Sequence, residues 1–130
     1  MENNKLTLYV VEDTLFYQQL IDRTLKPLYV QAMYFTSGED AVTQLPIYPP
    51  HLVILDYNLE GVMTGLDTLR EIRRQYPAVY VILFSTRFEI NTEENFRTYG
   101  VFDFVEKNGE GFRVLHQKII QAISFSKPEA

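Results

Sequence analysis

Six side chains suited to phosphate or metal chemistry stand directly behind apolar runs of this chain. Glu12 and Asp13 follow Leu6–Val11, Asp56 follows residues 51–55, Ser85 and Thr86 follow residues 80–84, and Lys107 comes just after residues 102–105. Brought together, three carboxylates repel one another strongly unless a cation holds them. Hard oxygen ligands without His or Cys beside them suit Mg²⁺, which keeps several waters and takes one or two carboxylates plus a phosphate. A hydroxyl and an ammonium opposite supply donors for a charged oxyanion. A carboxylate set among a metal, a hydroxyl and a lysine is equipped to attack phosphorus.

These residues can meet only if the apolar runs are strands of one sheet. Five such runs (Leu6–Val11 and residues 29–35, 51–55, 80–84 and 102–105) alternate with helix-period segments at residues 14–26, 38–45, 66–75, 91–99 and 112–125. HLVIL and YVILF show no polar alternation, as expected of strands covered on both faces. In the first helix, Leu15/Phe16, Gln19/Leu20 and Arg23/Thr24 step down one face, and Pro27 stops it. Leu66, Leu69 and Ile72 mark the third, Asn91 and Glu94 form a capping-box pattern before the fourth, and Gly100 ends it. Phe112, Leu115, Ile119 and Ile123 form the stripe of the last. Alternating strands and helices argue for right-handed βαβ units and a parallel sheet. Five repeats fit a flavodoxin-like (βα)₅ doubly wound fold of strand order 2-1-3-4-5, which binds ligands at the carboxyl ends of its strands. All six side chains fall at that edge.

Each residue taken singly has an ordinary explanation. Asp13 can cap the helix that opens at Thr14, an Asp after an apolar strand is common, and a Lys after another is commonly solvated. Joint placement at four strand ends is what argues for a site. His51 and His116 read as structural or solvated. Phe88, Tyr99, Phe102 and Phe104 cluster around the fourth helix and fifth strand and are read equally well as packing or as a partner surface.

With 130 residues, 46% hydrophobic and 22% charged, the chain can bury one core and is expected to form a single domain over 1–130, with its core at about 6–125. It has no cysteine, which suits a cytoplasmic protein, and no apolar run long enough to span a membrane. The net charge is −5, and the only cationic cluster, Arg70, Arg73 and Arg74, shares its helix with Asp67 and Glu71, so it reads as a solvated, salt-bridged face. Direct nucleic-acid binding is not expected.

VVED at 10–13, VILDYNL at 53–59, VILFST at 81–86 and DFVEK at 103–107 resemble the signature segments of two-component response-regulator receiver domains, in order and in spacing. The resemblance implies a phosphorelay switch that takes a phosphoryl group from a sensor histidine kinase or a histidine phosphotransfer protein. Asp56 matches the phosphoacceptor, Glu12 and Asp13 the acidic pair for Mg²⁺, and Asn58 the residue whose backbone carbonyl meets the metal. Ser85 matches the switch hydroxyl, Lys107 the phosphoryl-pairing lysine and Phe104 the aromatic rotamer switch. Thr86 and Arg87 fall where side chains modulate access to the acceptor. The output would pass through the fourth-helix, fifth-strand and fifth-helix face to a protein partner or a second copy. Catalysis would be limited to self-phosphorylation and self-dephosphorylation.

Four positions depart from the family. Thr86 replaces a smaller residue and Phe104 the commoner tyrosine, and the loop at 60–64 is about one residue longer. Asn108 follows Lys107 where a proline, usually cis, is typical. A non-proline cis bond costs about 2.5–4 kcal/mol, so the Lys107–Asn108 bond is expected to be trans. Gly109 would then supply the turn, and the lysine would need a small backbone adjustment to reach Asp56. The rival reading is a pseudo-receiver that binds a partner without phosphorylation. An aspartate-nucleophile phosphatase would want an acid where Asn58 stands, and a flavin module a Ser/Thr/Gly-rich loop in place of Glu12–Leu15. The SKPEA tail favours a stand-alone regulator.

Overall fold

The computed structural model describes residues 5–86 and 92–126. Its elements alternate as read from the periodicity: β1 (Leu6–Val11), α1 (Leu15–Leu25), β2 (Val30–Phe35), α2 (Gly38–Gln44), β3 (Leu52–Leu55), α3 (Gly65–Gln75), β4 (Tyr80–Ser85), α4 (Thr92–Tyr99), β5 (Asp103–Glu106) and α5 (Gly111–Ser126). The five strands pair in parallel in the order β2-β1-β3-β4-β5. This is the flavodoxin-like (βα)₅ fold.

Side-chain alternation along the strands divides the core in two. Tyr9, Val11, Val53, Leu55, Val81 and Leu83 face one way, toward Ala41 of α2 and Leu69 and Ile72 of α3. Leu8, Val10, Ile54, Ile82 and Phe84 face the other way, toward Ile21 of α1 and Leu115 and Ile119 of α5. Burying apolar groups on both faces is what makes β3 and β4 read as unbroken apolar runs. Among the described residues, no helix is long and apolar enough to cross a membrane.

Three local expectations are corrected. First, α1 buries Gln18, Ile21 and Leu25 and leaves Leu15 and Phe16 65% and 60% exposed. The chain's exit from β1 sets this phase: Gln18 Nε2 donates to the Glu12 carbonyl at 2.8 Å, turning that side of the helix inward. Second, the N-cap of α1 is Thr14, and the Asp13 carboxylate accepts from the Thr14 hydroxyl at 3.4 Å. Third, Arg73 does not belong to a solvated face. It is half-buried and donates to the carbonyls of Tyr76, Pro77, Val79, Tyr99 and Gly100, tying the ends of α3 and α4 to the start of β4. Arg70 and Arg74 remain outside, bonded to the Tyr99 hydroxyl and to Glu71.

Two glycines are required by close approach. A Cβ at Gly65 would lie 2.4 Å from the Tyr57 carbonyl oxygen, and one at Gly111 would lie 2.0 Å from that of Glu106. Each lets a helix begin tight against the loop carrying a site residue. α3 is further held by a capping box between Thr64 and Asp67, legible in sequence as T-x-x-D. The capping box expected at Asn91 falls outside the described residues.

Candidate functional site

Main-chain bonds continue the ladder one step past each strand and so fix the site residues. Glu12 N–H donates to the Phe35 carbonyl at 2.9 Å, Asp56 N–H to Val11 at 2.9 Å, and Lys107 N–H to Ser85 at 2.8 Å. The residues after β1, β3 and β5 are thereby locked to neighbouring strands, and their side chains leave the sheet at one edge.

There the two oxygens of Asp56, itself 5% exposed, have different partners. Oδ1 accepts from the Asn58 N–H at 2.8 Å and from the Ser85 hydroxyl at 3.2 Å. Oδ2 pairs with Lys107 Nζ at 3.3 Å. The same ammonium donates to Glu12 Oε1 at 2.5 Å, with both side chains 2% exposed. The other Glu12 oxygen accepts from the Thr14 N–H at 2.9 Å. The Ser85 hydroxyl also meets the Asn58 side-chain oxygen. Burial pushes the Glu12 carboxyl above its ordinary range and the charge of Asp56 pushes the same way, against the bonds from Lys107 and Thr14.

Glu12, Asp13 and Asp56 each offer an oxygen within 4.8 Å of the others. One ammonium against three carboxylates leaves this edge short of positive charge, and the donors are all hard oxygens. The set fits a Mg²⁺-like cation and would not favour a soft metal. Asp13 and Asp56, with Lys107, open on a cleft of about 450 Å³ also lined by Asn58, Glu60 and Thr86.

Glu12, Asp13, Asp56, Ser85, Thr86 and Lys107 therefore gather as their strand-end positions suggested, and Asn58, singled out by the family resemblance, lies with them. The Lys107–Asn108 bond is trans, since no described peptide bond is cis. The expected backbone adjustment is not needed, because the lysine side chain already reaches Asp56. Gly109 lies in the turn into α5, as expected, but its φ is not positive, so the turn does not draw on the freedom peculiar to glycine. Asn108 fastens that turn, its Oδ1 accepting from Glu110 N–H at 3.1 Å and its carbonyl from Gly111 N–H at 2.9 Å. Phe104 stands 41% exposed, edge-on to Phe96 at 5.4 Å. The expected aromatic cluster is split: Phe102 packs with Tyr80 and Phe125 on the α5 side, while Tyr99 and Phe104 lie toward α4. Phe88 and Arg87 lie outside the described residues. The sequence reading missed Tyr17, whose ring centroid lies 4.2 Å from Lys107 Nζ. An aromatic four residues after Asp13, one helical turn on, was the available signal.

The sequence pattern of the response regulator receiver domain matches residues 8–120. The chain belongs to that family. Among regulators similar to this receiver domain, the luminescence regulatory protein LuxO of Vibrio campbellii is 31% identical over 105 residues, covering 81% of this chain but 23% of LuxO. In structure, the signal receiver domain of a putative LuxO repressor protein from Vibrio parahaemolyticus superposes with a TM-score of 0.84 at 23% identity, covering 94% of this chain and 92% of that one. The chemotaxis protein CheY4 of Vibrio cholerae superposes at 0.76 and 16% identity, covering 94% and 98%. These low-identity likenesses bear on the fold, which agrees with the receiver architecture.

Proposed function

We propose that residues 1–130 form a single receiver domain that works as a phosphorylation switch, with Asp56 as the phosphoacceptor. The carrying observation is the division of labour on Asp56: Asn58 and Ser85 hold one oxygen, while the other is paired with the ammonium of Lys107 and can turn to a donor in the cleft. The donor is the phosphohistidine of a sensor kinase or of a phosphotransfer protein. An Asp56 oxygen attacks phosphorus, the P–N bond breaks, and its electron pair goes to the imidazole, which takes up a proton. Lys107 then pairs with the new phosphoryl oxygens and Ser85 donates its hydroxyl to them. Hydrolysis reverses the state when water attacks the same phosphorus, releasing phosphate and restoring the carboxylate.

Glu12, Asp13, Asp56 and the Asn58 carbonyl would hold Mg²⁺, which neutralises oxyanion charge as phosphorus is attacked. Thr86 and Arg87 modulate access to Asp56. As Ser85 is drawn toward the phosphoryl group, Phe104 turns inward and the α4-β5-α5 face changes for a downstream protein. The working compartment is the cytoplasm.

The test is labelling with acetyl phosphate and Mg²⁺, read by intact mass, for wild type and Asp56→Asn. One added phosphoryl group on wild type and none on the variant is expected. Equal labelling would remove Asp56 as acceptor, and no labelling of wild type would favour a pseudo-receiver.

A further inference from the structure

We propose that Tyr17 is a positioning residue for Lys107: its ring holds the ammonium beside Asp56 and so sets how fast Asp56 takes up a phosphoryl group. The proposal rests on the reading of Asp56 as the phosphoacceptor. Lys107 Nζ lies 4.2 Å from the Tyr17 ring centroid and 5.8 Å from that of Phe84. Tyr17 itself is held by Phe112, stacked at 6.4 Å with 14° between planes, and by Phe16, edge-on at 5.4 Å.

The ammonium has three directions available: toward Glu12, toward Asp56 and into the cleft. Tyr17 and Lys107 both line that cleft, so the ring takes up space in which water would solvate the ammonium. A ring face attracts a cation through its quadrupole and does not neutralise it. A third carboxylate there would compete with Asp56 for the lysine, whereas an aromatic ring does not. The contact matters because the resting ammonium sits closer to Glu12, at 2.5 Å, than to Asp56, at 3.3 Å. To serve a phosphorylated Asp56 it must shift away from Glu12, and the ring supports it through that shift. Four carbons of side chain would otherwise be free to turn outward.

The experiment compares Tyr17→Phe, Tyr17→Leu and Tyr17→Met in the whole chain. Rates of Mg²⁺-dependent labelling by acetyl phosphate are measured alongside the NMR shift of the Lys107 ε-methylene in the absence of phosphodonor. Losing the ring should slow labelling roughly three- to thirtyfold, while Tyr17→Phe stays within about twofold of wild type. The ring-current shift of the ε-methylene should be kept in Tyr17→Phe and lost in both ringless variants. Tyr17→Met, flexible and long, guards against a packing defect peculiar to Leu. Wild-type rates and an unchanged methylene shift in the ringless variants would overturn the proposal. Equal slowing in Tyr17→Phe would too, by placing the effect on the hydroxyl. A wild type that labels only on Asp56 leaves the phosphoacceptor reading intact in either case.

Discussion

At the amino end of the sheet, buried and partly buried polar side chains are bonded to main chain. Arg73 donates to five carbonyls, His51 Nδ1 accepts from the Thr7 N–H at 3.0 Å, and the Tyr9 and Tyr76 hydroxyls donate to the Tyr48 and Leu45 carbonyls. At the carboxyl end, Glu12, Asp56, Ser85 and Lys107 bond largely to one another. The clefts differ in the same sense. The one at the amino end, about 340 Å³ between Pro50, Tyr76, Pro77 and Val79, is lined by no carboxylate or ammonium among the described residues, whereas the other is lined by Asp13, Asp56, Glu60 and Lys107. A side chain bonded to a carbonyl has a partner that cannot change without unfolding. Charges that satisfy one another can exchange partners when a new charge arrives, and that capacity is what a switch needs.

Breaking the amino end should therefore cost stability and leave the chemistry alone. Arg73→Leu strips donors from several carbonyls at once and should lower unfolding free energy by about 2–4 kcal/mol in denaturant titration. Labelling of the folded protein by acetyl phosphate should match wild type. A large loss of labelling at unchanged stability would contradict the division between the ends.

Perturbing the carboxyl end should do the reverse. Asp13→Ala removes one of three crowded carboxylates, and Thr14, not Asp13, is the cap of α1. The melting temperature without metal should stay the same or rise, and its rise on adding Mg²⁺ should disappear. A fall equivalent to the ~1 kcal/mol of a lost N-cap would show that Asp13 serves the helix after all.

Tyr9 offers a finer contrast, visible only in alkali. Burial pushes its hydroxyl up from 10.0 to about 12. The unfolded chain ionises first, so this contribution to stability is complete below pH 10 and is lost as pH rises toward about 12. Tyr9→Phe should flatten that limb of a stability–pH curve. Flattening will be partial, because burial and Asp22 raise the Tyr34 hydroxyl in the same direction. An unchanged slope would mean Tyr9 ionises alike in both states.

The smallest effect is expected at Glu71, bonded to Arg74 and Gln75 on the exposed side of α3. The Arg74 bond brings its carboxyl down to about 2, yet solvent screens the pair. Glu71→Gln should leave the denaturation midpoint at neutral pH where it is. A clear drop would make this surface part of the structural end.

Residue order and hydrophobic period alone determined five strands, five helices and the edge where Glu12, Asp13, Asp56, Ser85 and Lys107 meet. That follows because an all-apolar run must be covered on both faces and parallel strands must be joined by crossovers, so every strand ends at the same edge. Tertiary structure decided the rest. Leu15 and Phe16 looked like a buried stripe, but the bond from Gln18 to the end of β1 turned α1 the other way. Arg73 looked like a surface charge until the ends of α3 and α4 came close enough to surround it with carbonyls. Lys107 was expected to fall short of Asp56 across a trans bond, yet β4–β5 pairing places it within reach. For Arg73 and Lys107 the deciding quantity was a distance between segments far apart in the chain, and for α1 it was a contact across the turn out of β1; side-chain periodicity carries no information about either.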